Sequence, residues 1–166
     1  IVKIKGAIQI FQGRKQLVIH KLEKSENIEI TIDAFIPEGN VPPEDLFAQL
    51  KSLVMTMENQ HLQQLILDSI DDPEVKKLML KAPAAKTIHH AWRGGLLEHV
   101  LSILKIMDFF ASHYKNLNRD LLFFGAIFHD LGKIWELSFD DVFAYTDEGR
   151  LLGHMELACE LIDKKS

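Results

Sequence analysis

"RDLLFFGAIFHDLGK", residues 119–133, decides how the chain is read. The run is apolar almost throughout until His129 and Asp130, and then Gly132 and Lys133 follow at once. After the break "KNLN" (115–118), residues 119–131 are expected to form a helix apolar nearly all round, hence a central one. Gly132 fits the C′ position that ends such a helix. A buried carboxylate without a partner is costly, so Asp130 calls for a cation. Lys133 is one candidate, and the pair would then simply close a helix end. A divalent metal is the other, because imidazole nitrogen and carboxylate oxygen together suit Mn, Fe, Zn or similar ions.

Working outward, a long helix is expected from about Leu96 to His113, with Leu96, Val100, Ile103, Leu104, Met107 and Phe110 as its apolar stripe. His99 falls on that stripe, where a buried imidazole needs a carbonyl partner or a metal. His154 follows "GRLLG" and opens the last helical pattern, 151–165. Each histidine alone reads as readily as a packed or surface side chain. Together with His129 and Asp130 they come from three elements that can converge on one or two ions in a helical core. His89, His90 and Arg93 stand in an irregular loop with Trp92, either a phosphate-binding and stacking edge or an ordinary polar loop.

Before this helical half lies a different pattern. "VKIKGAIQIF" (2–11) and "QLVIHKL" (16–22) alternate as strands around the turn "QGR", with Gly6 at a bulge or bend. "NIEITID" (27–33) reads as a third strand. "IPEGNVPP" (36–43) is a Pro/Gly linker. Pro43-Glu44-Asp45 starts a helix with the stripe Leu46, Leu50, Leu53, Val54 and Met57. Shorter helices follow around Leu62, Leu65 and Ile66, and from Asp72-Pro73 through Val75, Leu78 and Met79. "WELSFDDVFAYTDEGR" (135–150) holds two short extended runs.

The formal net charge of −5 argues against a generally basic nucleic-acid coat. The charge is split, however. Residues 1–22 carry Lys3, Lys5, Arg14, Lys15 and Lys21 and no acid, while the rest carries the other 14 basic residues and all 24 acids. Either the two parts have different jobs or the lysines merely solvate a strand pair. The single cysteine, Cys159, reads as a small apolar filler and allows no internal disulfide. With no signal peptide and no apolar run of about 18 residues, a soluble cytoplasmic protein is expected. The chain opens at Ile1 inside a strand pattern and stops inside the helical "LACELIDKKS", so a fragment of a longer protein is expected.

"GGLLEHV" with His99, "FHDLGK" with His129 and Asp130, and "DEGRLLGH" with His154 resemble the HD-domain metal-dependent phosphohydrolases. More narrowly, with "HHAWRGGLLEHV" and the hairpin, they look like the YhaM-type 3′–5′ exoribonucleases. The resemblance implies a mainly α fold: a helical HD domain preceded by a short β-hairpin or three-stranded remnant of an OB-fold. It places the OB segment at 1–35, a linker and helices at 36–81, and an HD domain truncated at its C-terminus at 82–166. It implies that His99, His129 and Asp130 ligate metal, Asp130 bridging two ions, with His154 a further ligand and Lys133 a phosphate contact. The expected cofactor is a divalent metal, Mn first, with Fe, Co, Mg, Zn and Ni as alternatives. The expected partners are single-stranded RNA or DNA, met by His89, His90, Arg93, Lys133, Lys3, Lys5, Arg14 and Lys15. No membrane is involved, and a homo-oligomer can form through the unpaired edge of a cut sheet. The family also uses another His and a final Asp, and none of the acids at 156, 160 and 163 stands at the right distance to replace that Asp. The expected chemistry is phosphate-ester hydrolysis by a water that the metal activates, Asp130 and Lys133 being the catalytic residues. The alternatives are a phosphohydrolase of small nucleotides and an inactive nucleic-acid-binding or assembly module.

Overall fold

The computed structural model describes residues 2–25, 39–85, 92–138 and 144–166. Contacts divide the chain into Ile1–Ile36 and Pro37–Ser166.

The first unit contains an antiparallel hairpin of β1 (Val2–Phe11) and β2 (Arg14–Lys24). Gln12 and Gly13 turn it, both with positive φ, the geometry that matches strand twist. The register shifts between Lys5 and Gly6, where the bulge was expected. Cross-strand partners share a face. Ile4 therefore lies with Leu22, and Ile8 with Leu17, while Lys5 lies with Lys21 on the other face. Two strands alone are marginally stable. The third strand expected at 27–33 lies outside the described residues.

The second unit is helical. In it α1 (Pro43–Val54), α2 (Gln60–Ile70) and α3 (Pro73–Met79) precede the long α4 (Gly95–His113) and α5 (Arg119–Leu131). A short α6 (Lys133–Glu136) runs into β3 (Leu137–Ser138), which pairs with β4 (Ala144–Tyr145). Then come α7 (Asp147–Leu151) and α8 (Gly153–Lys165). Side-chain caps set several starts: Asn59 for α2, Asp72 for α3, Asn118 for α5 and Thr146 for α7. Helix α5 packs against α4, α2 and α8, which makes it the centre of the unit. It buries Phe123, Ile127 and Leu131 in the same apolar core as Leu50, Ile66 and Leu104.

Three expectations change. Helix α5 is not covered all round: Leu121 is 56% exposed, and Gly125 and His129 continue that open strip. On α4, Phe110 is exposed rather than core, because the apolar cover ends near Met107. Gly132 does not take the left-handed C′ conformation; its φ of −62° and ψ of −12° are helical. Glycine is needed there for another reason. A Cβ would collide with the His154 carbonyl oxygen and press on the Ala158 amide, so the missing side chain lets α8 cross the α5–α6 junction at backbone contact.

Candidate metal centre

Asp130 occupies the last turn of α5 and is only 5% exposed. The helix presents its negative end there, which disfavours an anion, so positive donors are needed. One lysine ammonium and three imidazoles stand around it. The Lys133 ammonium donates to Asp130 Oδ2 at 2.8 Å. His99 Nε2, from the first turns of α4, lies 3.2 Å from the same oxygen. His129 Nε2 lies 3.4 Å from it. His154 Nε2, from the start of α8, stands 3.6 Å from the other oxygen, Oδ1. One carboxylate thus gathers side chains from α4, α5, α6 and α8, as the sequence pattern of His99, His129, Asp130, Lys133 and His154 anticipated.

The histidines are oriented from behind. His129 Nδ1 is 2.9 Å from the Ala126 carbonyl, which can only accept. The proton therefore sits on Nδ1, and in the neutral ring Nε2 turns its lone pair toward Asp130. His154 Nδ1 is 3.0 Å from Glu136 Oε1, and the same oxygen accepts the His154 backbone N–H at 3.2 Å. Glu136 is buried, so its carboxylate fixes both the ring and a first-turn amide of the helix carrying it. Sequence reading missed Glu136. Its signal was an acid inside the apolar "IWEL" (134–137), which needs a partner by the same rule applied to Asp130.

The donor set fits a divalent ion. Ligand atoms of His99, His129 and Asp130 all lie within 4.8 Å of one another. Two imidazoles and a carboxylate are suitable for Mn, Fe or Zn. His99 is not buried as its stripe suggested, and His129 is open: their side chains are 29% and 42% exposed. Both rings therefore meet solvent as well as Asp130.

Other expected residues fall elsewhere. His89 and His90 lie outside the described residues, while Arg93 lies just before α4. On the hairpin, Lys3, Lys5 and Arg14 fall on one face, but Lys15 pairs with Ile10 on the other, where the bulge and turn leave it. Glu156, Glu160 and Asp163 are all exposed on α8. So is Cys159, which is no core filler, because its position on α8 turns to solvent.

Residues 96–166 match the HD domain family. The chain is 33% identical over 165 residues to the 3′–5′ exoribonuclease YhaM of Bacillus subtilis, an alignment that covers 99% of this chain and 52% of that protein. To the 3′–5′ exoribonuclease YhaM of Bacillus licheniformis it is 34% identical, with the same coverage of 99% and 52%. The chain spans about half the length of the curated relatives it matches. No solved structure matches it.

Proposed function

Because this chain carries an HD domain over residues 96–166, we propose that the whole protein is a metal-dependent phosphodiesterase that removes nucleotides from the 3′ end of single-stranded RNA. The observation that carries this reading is the buried Asp130 carboxylate, with His99, His129 and Lys133 on one oxygen and His154 facing the other. The names of its relatives favour RNA as the substrate.

His99, His129 and Asp130 would hold the ion, with His154 as a further ligand. A divalent metal in such a site supplies Lewis acidity toward a phosphate oxygen and makes water more acidic. Lys133 has a role of its own. Its side chain is 20% exposed and its ammonium lies beside Asp130, so it can swing from Asp130 to a nonbridging phosphate oxygen. Glu136 keeps His154 aimed at Asp130 throughout. On the hairpin, Lys3, Lys5 and Arg14 share a face with Phe11, a set that suits backbone contact and base stacking on a single strand, RNA or DNA.

The test is digestion of a 5′-labelled single-stranded RNA by the whole protein with Mn²⁺. A ladder shortening from the 3′ end is expected, lost in His129→Ala together with bound metal. Internal cuts, or hydrolysis of free nucleotides with the RNA left intact, would overturn the exoribonuclease reading. A His129→Ala protein that retains full metal content would overturn the metal assignment.

A further inference from the structure

The helical unit is acidic in sum, yet one of its grooves is not. Between α3 and the segment before α1 lies a cavity of about 750 Å³ lined by Lys76, Lys77, Lys81 and Arg93, with Glu44 as the one acid among its lining residues. Val41, Pro42, Pro43 and Leu80 supply apolar wall between the charges. The groove shares no lining residue with the metal centre.

Its walls are built rather than incidental. A Cβ on Gly39 would press on the Trp92 indole, so that segment lies directly against the ring. Gly94, at φ +74°, leaves room for the Pro43 ring, which a Cβ would also overlap. The Trp92 indole N–H donates to Glu98 Oε2 at 3.0 Å, tying this wall to α4. Opposite, α3 is held at its start by Asp72, which accepts the Glu74 and Val75 amides and pairs with Lys165 at 2.9 Å. Lys76 extends over the Phe47 ring, 5.0 Å from its centroid. Four basic side chains along one groove suit an anion with several charges in a row, and the apolar patches suit flat bases or sugars between them.

We propose that this groove binds the phosphodiester backbone of a single nucleic-acid strand, at a site separate from the metal centre. The choice of nucleic acid over an acidic peptide rests on the nuclease reading above. Holding the strand away from the cleavage site would keep successive cuts on one molecule.

The test measures binding without cutting. Fluorescence anisotropy of a labelled single-stranded oligouridylate is followed in a metal chelator across a salt series. Lys77→Ala/Lys81→Ala leaves Lys76 on its ring. It is expected to weaken binding and to flatten the dependence of log affinity on log salt by about 1.4, two strand phosphate contacts at about 0.7 each. Lys77→Glu/Lys81→Glu should weaken it further, with unchanged circular dichroism. Lys105→Ala/Lys115→Ala removes the same charge elsewhere and should leave the slope alone. An oligonucleotide that the wild-type chain does not bind, a groove variant with the wild-type slope, or an equal loss in the Lys105/Lys115 variant would overturn the proposal. So would tighter groove-dependent binding of polyglutamate than of RNA. Asp130→Asn separates the two readings, for it should bind RNA normally and not cut it. Groove-dependent binding by a protein that cuts no RNA would keep the groove and remove the nuclease. Cutting by a protein whose groove variants bind normally would do the reverse.

Discussion

Helix α5 carries a buried aspartate near each end, and the two are solved differently. Asp120, 7% exposed in the first turn, accepts the backbone amides of Glu58 and Asn59 at 3.0 and 2.6 Å. Asp130, 5% exposed in the last turn, meets a lysine ammonium and three imidazoles among the described residues. The helix field favours the first carboxylate and opposes the second. Amides are fixed, so Asp120 is a clamp joining the α1–α2 connection to α5. Lysine and histidine side chains can turn to another ligand, so Asp130 is held in a form that can be used. Burial alone does not mark a functional acid; the nature of its partners does.

The largest expected effect comes from removing the usable charge. Asp130→Asn should cost about 10²–10³-fold in hydrolysis, the scale of losing one charge-stabilising group, and should remove bound metal as read by elemental analysis. Its melting temperature should change less than that of Asp120→Ala. The clamp mutant should show the opposite pattern. Asp120→Ala strands the Glu58 and Asn59 amides and should destabilise by about 1–3 kcal/mol in urea titration, while the protein retains its metal. If both variants lose metal equally at matched folding, the contrast between the two acids fails.

Two glycines near the same helix extend the contrast to backbone. Gly132→Ala forces a methyl against the His154 carbonyl and should destabilise by about 1–3 kcal/mol, as overpacking does. It should also weaken metal binding by displacing His154. Gly125→Ala meets nothing within 4 Å and should stabilise by up to about 1 kcal/mol through helix propensity. Differential scanning calorimetry of the pair checks the signs.

The smallest effect concerns Asp72. The Lys165 hydrogen bond, with the Val75 and Glu74 amides, holds its carboxyl below the ordinary value of 3.8. A lowered folded value means stabilisation that is complete above the ordinary value and is lost as pH falls through the folded one. Asp72→Asn should therefore flatten stability against pH below about 4 and change little at neutral pH beyond the lost Lys165 pair. That pair is partly exposed and solvent-screened. No helix among the described residues is long and apolar enough to cross a membrane.

Much of this could be read in the sequence because it is local. Apolar periodicity and the "KNLN" break located α5 at 119–131, and Pro43 with its acids located α1. His99, His129 and Asp130 could be singled out because a polar side chain in an apolar pattern needs a partner, and His154 only in combination with them. The identity of that partner was not legible. Glu136 reaches His154 across 18 residues, Asp120 reaches Asn59 across 61, and Lys77 meets Arg93 only as opposite walls of one groove. Gly132 makes the same point: its place after a helix suggested a cap, but the crossing of α8 is what forbids a side chain there. Periodicity fixes which face of each helix is apolar, whereas the packing of helices distant in the chain decides which polar groups meet.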